Sequence, residues 1–295
     1  MAMSPRDLLI ATVVIFAWGV NFVVIKLGLH GVPPMLLGAL RFALAALPAF
    51  FVKRPQIPLR WLFAYGLTIS LGQFALLFYG MSVGMPAGLA SLVLQAQAFF
   101  TLIFAAMFLG ERIRAANVIG LLIAAAGLAL IGMHGGQAMT LTGFLFTLGA
   151  ASMWALGNIA TKRMGKVDLL SLVVWASLIP PLPFLVLSLI FEGPARIESS
   201  LASIPLVSVL AVCYLAFIAT LVGYSLWGKL LARYAAGQVA PFSLLVPVIG
   251  LASAALFLDE GMSSMEVAGA ALVMAGLAVN VFGGRIVQRF ASAAR

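Results

Sequence analysis

Polar side chains inside long apolar runs are the first places to look for chemistry, because no water is there to satisfy them. Trp18 and Asn21 lie within one turn of each other in the first apolar run. Trp154 and Asn158, four residues apart in the sixth, share a helix face. Gln73 and Tyr79 fall in the third run, Ser91, Gln95 and Gln97 in the fourth, Trp175 in the seventh and Tyr224 in the eighth. Ser91 and Gln95 share a face while Gln97 points elsewhere, so at most two of these three line one cavity. Neutral amides, hydroxyls and aromatic rings suit a zwitterion, or a small polar solute with an apolar part. The alternative for each residue is an interhelical hydrogen bond, worth about 0.6–2 kcal/mol in a membrane. The expected substrate-binding set is Trp18, Asn21, Gln73, Tyr79, Ser91, Gln95, Trp154, Asn158 and Tyr224, with Trp175 as a further aromatic wall.

Charge adds a second group of candidates. Arg41 lies seven residues into the second run, where a guanidinium at the bilayer centre would cost roughly 2.5–3.5 kcal/mol. It must therefore face protein, water or headgroups, either to bind a substrate carboxylate or to cap backbone carbonyls. Lys26 is expected to extend its ammonium to the outer surface. A sharper arrangement pairs Lys26 with Glu260 on one side of the membrane and Lys162 with Glu111 on the other, as symmetry-related gates. Pro241 and Pro247 interrupt the ninth run and Pro180 the seventh. A proline inside a helix removes a hydrogen bond and kinks it, so these three are candidate hinges.

Signals for other chemistry are lacking. His30 and His134 fall at helix ends with no carboxylate or cysteine at metal-binding spacing. The one cysteine, Cys213, supports neither a disulfide nor a thiolate site. No G-x-x-x-x-G-K-[ST] loop points to ATP, and no acidic residue sits mid-helix to relay protons. No metal, no cofactor and no catalytic residue is expected.

The elements that must position these residues are hydrophobic to an unusual degree. The 295 residues are 64% hydrophobic and 8% charged, with a mean hydropathy of +1.17, against about 45–50% and about 25% in soluble domains. A soluble body of this size could not hide that surface, so the lipid bilayer is the partner. Ten runs, 8–29, 34–52, 59–81, 86–109, 115–133, 141–160, 169–191, 204–227, 239–258 and 265–283, each approach the roughly 20 apolar residues that a spanning helix needs. Backbone in lipid must satisfy its own hydrogen bonds, so these runs are helical. The first run lacks a small-residue cleavage site and is expected to be a retained helix.

The net charge of +9 is scattered between the runs rather than gathered on one face, so nucleic acid is not a partner. With the N-terminus in the cytoplasm, the inner segments hold Arg6, Lys53, Arg54, Arg60, Arg112, Arg114, Lys162, Arg163, Lys166, Lys229, Arg233, Arg285, Arg289 and Arg295. Only Arg196 lies in an outer loop, an asymmetry that puts both termini in the cytoplasm.

The chain also repeats itself. Gly120, Gly127 and Glu111 recur 149 residues later as Gly269, Gly276 and Glu260, in helices of corresponding rank, and Ala87-Gly88 recurs as Ala236-Gly237. Trp18 and Lys26 match Trp154 and Lys162 at an offset of 136. Two five-helix repeats, 1–134 and 135–295, would enter the membrane from opposite sides, the plan of many secondary transporters.

Three segments carry a family resemblance: Trp18-Gly19-Val20-Asn21-Phe22, Pro33-Pro34 followed by Leu40-Arg41-Phe42, and Leu109-Gly110-Glu111-Arg112. They resemble the EamA family of the drug/metabolite transporter superfamily. The stretches 85–100 and 240–255 resemble EamA-type O-acetylserine/cysteine exporters. That resemblance implies ten helices in two inverted repeats and export of amino acids or related metabolites across a bacterial inner membrane. It supplies no agreed site residues. Where many members carry a proline in the fourth helix matching Pro247, this chain has Ala98, which leaves a kink there in question. The expected protein is an all-α membrane exporter working by alternating access without ATP, its cavity among helices 1, 3, 4, 6, 8 and 9. A broad drug exporter, a passive facilitator and, from another class, a membrane-embedded enzyme are the alternatives.

Overall fold

A computed structural model describes residues 3–134, 139–234 and 236–293. The repeat boundary expected at 134/135 touches residues outside these, as does Arg295. Among the described residues, nine helices are long and apolar enough to cross a bilayer, and Pro34–Phe50 is a shorter tenth. We number the ten spans 1 to 10 in chain order. Span 1 is Pro5–Gly31, span 2 is Pro34–Phe50, span 3 is Leu59–Ser82, span 4 is Ala87–Leu109 and span 5 is Ala115–His134. Span 6 is Leu141–Met164, span 7 is Leu169–Phe191 and span 8 is Leu206–Arg233. Span 9 is built of Ala236–Ser243 and Leu245–Leu258, and span 10 is Ser264–Ala293. A short helix, Pro194–Ala202, lies in the connection between spans 7 and 8, and its Ser200 hydroxyl donates to Gly31 O at 2.7 Å.

Local chemistry explains several starts. Pro5 occupies the first turn of span 1, where its missing N–H costs nothing, and Ser4 caps it by accepting from Asp7 N at 3.2 Å. Span 2 can be short because its α-helix Pro34–Ala46 finishes as the 3₁₀ turn Leu47–Phe50. The greater rise per residue of that turn carries it roughly 27 Å, close to the hydrocarbon thickness of about 30 Å.

The spans are not regular, and the irregularities come in pairs. Spans 3 and 8 each contain a π-helical stretch, Gly66–Gly72 and Tyr214–Val222. Span 4 tightens into a 3₁₀ turn at Leu94–Ala96. Span 9 breaks at Leu244, between Pro241 and Pro247. Span 4 thus deforms at the place equivalent to the break in span 9, although it has no proline there. Span 7 is interrupted between Ala176 and Pro181, where Pro180 falls.

Spans 5 and 10 pack along each other through the repeated glycines. A Cβ on Gly120 would lie 2.6 Å from Gly276 O, and one on Gly276 would lie 2.5 Å from Gly120 O. Gly127 and Gly269 meet in the same way, at 2.6 and 2.9 Å. Only residues without a side chain permit backbones so close. Asn117 Nδ2 donates to Asn280 Oδ1 at 2.6 Å across the same pair. Neither span lines the cavity described below. The protein is an all-α membrane protein of ten helices in two inverted five-helix repeats.

Candidate functional site

The remaining eight spans enclose a cavity of about 300 Å³, at the lower end of the roughly 300–1,000 Å³ of small-molecule sites. Eight of the nine expected binding residues line it: Trp18, Asn21, Gln73, Ser91, Gln95, Trp154, Asn158 and Tyr224. Arg41 lines it as well, together with Phe22, Tyr65, Gln97, Thr161 and Trp227. The cavity lining extends to Leu231, which is 36% exposed near the end of span 8, where Arg233 Nη1 donates to Asp7 Oδ1 at the start of span 1 at 2.9 Å.

Arg41 is the dominant group. It is 2% exposed, and its guanidinium carbon sits 3.8 Å from the centre of the Phe74 ring. Nη2 donates to Thr220 Oγ1 at 3.0 Å, within the π-helical stretch of span 8. That hydroxyl passes its own hydrogen to Leu215 O at 2.7 Å, so it is free to accept. Nε and Nη1 are buried with no hydrogen-bond partner among the described residues. Two acceptors in the same cavity are also without one, Asn21 Oδ1 and Gln73 Oε1. Leaving a buried donor or acceptor unpaired costs about 1–3 kcal/mol, and more when it is charged. All four atoms belong to residues that line the one cavity.

Other side chains hold the walls. Trp18 Nε1 donates to Ala219 O at 2.9 Å, and its ring meets those of Tyr224 and Trp227 at 5.3 and 5.4 Å between centroids. Asn158 Nδ2 donates to Gln97 Oε1 and Thr101 Oγ1, both at 3.0 Å. Gln95 Nε2 donates to Ser243 O at 3.2 Å, tying span 4 to span 9 where they cross. Ser91 Oγ donates to Gly88 O at 2.6 Å.

Several expectations need correction. Tyr79 does not reach the cavity: it is 37% exposed, with its ring packed edge-on against Phe146 at 4.8 Å. Trp175 is not a cavity wall, because its Nε1 donates to Val52 O at 2.9 Å at the end of span 2. Gln97 does line the cavity. The 3₁₀ turn before it has three residues per turn rather than 3.6, which turns the chain roughly 20° further per residue than an α-helix and swings Gln97 towards the face of Ser91. Arg41 donates to a hydroxyl rather than capping carbonyls. Spans 2 and 7 contribute to the cavity through Arg41 and Leu169.

The expected ion pairs divide. Lys162 Nζ meets the Glu111 carboxylate at 3.0 and 2.9 Å. Lys26 does not pair with Glu260. Its Nζ donates to Met81 O at 3.3 Å, while Glu260 accepts from Ala87 N and Gly88 N, each at 2.9 Å. Two bare N–H groups at a helix start are a better match for a carboxylate than one long, hydrated ammonium.

Thr161 was legible in principle, being one turn beyond Asn158, as Trp227 is one turn beyond Tyr224. Tyr65 and Phe22 carry no such signal, since aromatic residues in apolar runs are ordinarily packing.

The EamA-like transporter family model matches residues 6–133 and 141–282, nearly the whole chain. The chain belongs to this family. A protein of Salmonella typhimurium described as a "probable amino-acid metabolite efflux pump" is 52% identical over 291 residues, covering 96% of this chain and 97% of its own length. One of Escherichia coli with the same description is 51% identical over 288 residues, covering 95% and 96%. A solved structure 20% identical aligns with a TM-score of 0.67 over 97% of this chain and 99% of its own, and shares the fold. As an EamA-like transporter, the chain is a multi-pass membrane protein whose relatives are named as transporters.

Proposed function

We propose that this EamA-like transporter exports small α-amino acids and related metabolites from the bacterial cytoplasm across the inner membrane, by alternating access and without catalysing a reaction. In this reading both termini are cytoplasmic, as the concentration of Lys and Arg on one side suggests, and the cavity faces the cytoplasm. The two repeats, 1–134 and 135–295, rock about the crossing of spans 4 and 9, with Pro180, Pro241 and Pro247 beside the flexing points.

One observation carries the reading: Arg41, whose buried Nε and Nη1 have no hydrogen-bond partner among the described residues, lines a cavity that has no carboxylate among its described lining residues. The substrate brings the missing anion. Its carboxylate accepts a charge-assisted hydrogen bond from Arg41 Nη1. Its ammonium donates to Asn21 Oδ1 and Gln73 Oε1, and its side chain lies against Trp18, Trp154 and Tyr224. The two relatives named above are described as probable amino-acid metabolite efflux pumps, which supports this substrate class.

Proteoliposomes loaded with a mixture of amino acids test it. Saturable, Arg41-dependent release of chemically unaltered amino acids is expected. Release that never saturates would mean a passive pore, altered products by mass spectrometry would mean an enzyme, and no release under any ion gradient would remove the substrate class.

A further inference from the structure

The two repeats end their crossing spans with the same backbone hook. At the end of span 4, Gly110 takes φ 68°, and the N–H of Glu111 bonds to Ala105 O at 3.3 Å. At the end of span 9, Asp259 takes φ 52°, and the N–H of Glu260 bonds to Ala254 O at 3.3 Å. Every one of these positions is 149 residues from its counterpart. A left-handed residue at a helix end favours glycine, and aspartate tolerates it better than most. Both hooks deliver a glutamate as the next side chain.

The two glutamates are in different situations. Glu260 takes the N–H groups of Ala87 and Gly88, the first turn of span 4, each at 2.9 Å. The equivalents of Ala87-Gly88 are Ala236-Gly237, the first turn of span 9. Glu111 has both its oxygens on Lys162 instead, in a pair whose side chains are 45% and 51% exposed. Packing follows the same division. The first turns of span 4 lie against Leu245–Leu258, closely enough that a Cβ on Gly88 would be 3.2 Å from Ala254. Beyond the Gln95–Ser243 contact the cavity lining extends to Thr161, next in sequence to Lys162, and to Leu231, which is 36% exposed.

We propose that Glu111 and Glu260 are alternating latches. Each caps the first turn of the other repeat's crossing helix while its own side of the membrane is shut, and releases it when that side opens. This structure is the state with Glu260 latched. In the opposite state Glu111 leaves Lys162 for the N–H groups of Ala236 and Gly237, and Glu260 lets go of span 4. The physical basis is a difference in strength. A carboxylate on two N–H groups at a helix start gains from charge assistance and from the helix dipole, whereas a half-exposed lysine pair contributes little. Exchanging one latch for another of the same chemistry on the same hook leaves the two states nearly balanced, as a carrier requires. The proposal rests on alternating access and does not depend on which substrate is carried.

Labelling of a cysteine on the cavity lining tests it. In a Cys213→Ser background, Leu231→Cys is exposed in inside-out vesicles to a membrane-impermeant maleimide. Glu260→Gln weakens the latch seen here and should slow labelling by roughly threefold or more, while Glu111→Gln weakens the opposite latch and should quicken it. The double variant should return towards the parent rate. Glu260→Asp and Glu111→Asp, which keep the charge but fall short of the helix start, should shift the rate in the same two directions and serve if a glutamine variant does not fold. Shifts in the same direction, or a lower thermal midpoint with no shift in either variant, overturn the latches. A parent protein that labels equally fast from both faces overturns alternating access itself, and the latches with it.

Discussion

The guanidinium of Arg41 stands over the ring of Phe74 with 3.8 Å between the guanidinium carbon and the ring centre. The rings of Phe42 and Phe78 lie at 5.3 and 5.9 Å. Desolvated cation–π contacts of this kind are worth about 2 kcal/mol, and they let a cation remain inside the bundle before any anion arrives. Lysine keeps the charge but loses the planar guanidinium that stacks on Phe74 and donates to Thr220. Arg41→Lys should raise the half-saturating amino-acid concentration by about tenfold or more, equivalent to about 1.4 kcal/mol, while a thermal-shift midpoint in detergent stays near that of the parent. Arg41→Met should abolish saturable transport in the same proteoliposomes.

Asn21 and Gln73 are assigned to the ammonium end. Removing their oxygens with Asn21→Ala and Gln73→Leu should reduce the preference for an amino acid over the matching carboxylic acid without the amino group. Competition by the two compounds measures this directly. Each substitution should narrow the ratio by roughly tenfold, and an unchanged ratio would move the ammonium elsewhere in the cavity.

Glycines at the crossing of spans 5 and 10 are needed for space. A methyl on Gly120 or Gly276 would meet a backbone oxygen at 2.6 or 2.5 Å, a group that cannot rotate aside. Gly120→Ala and Gly276→Ala should each cost about 1–3 kcal/mol, read as a lowered thermal midpoint. Gly149→Ala, whose methyl would stand 3.3 Å from the mobile end of Leu76, should change the midpoint little.

Tyr79 serves as a control. Its ring lies outside the cavity against Phe146, and Tyr79→Phe retains that edge-on contact. Transport rate and half-saturation should both match the parent protein in the proteoliposome assay.

Much of this protein was written in its apolar runs. The bilayer makes helix the only form open to such segments, so the spans followed from length and hydrophobicity, and the repeated glycines and tryptophans gave away the duplication. Polar residues are costly in lipid, which is why eight of nine neutral candidates could be picked out as cavity residues. Tertiary structure decided what periodicity could not. A regular 3.6-residue helix turns Gln97 away from the cavity, and the 3₁₀ turn at Leu94–Ala96 brings it back. Tyr79 has the same composition signal as Tyr224, and only packing tells lipid-facing from cavity-facing. The partner of Glu260 was likewise undecidable from charge, because backbone N–H groups at a helix start leave no mark in a list of side chains. Sequence determines which groups water must abandon, and only the assembled bundle determines which of them face one another.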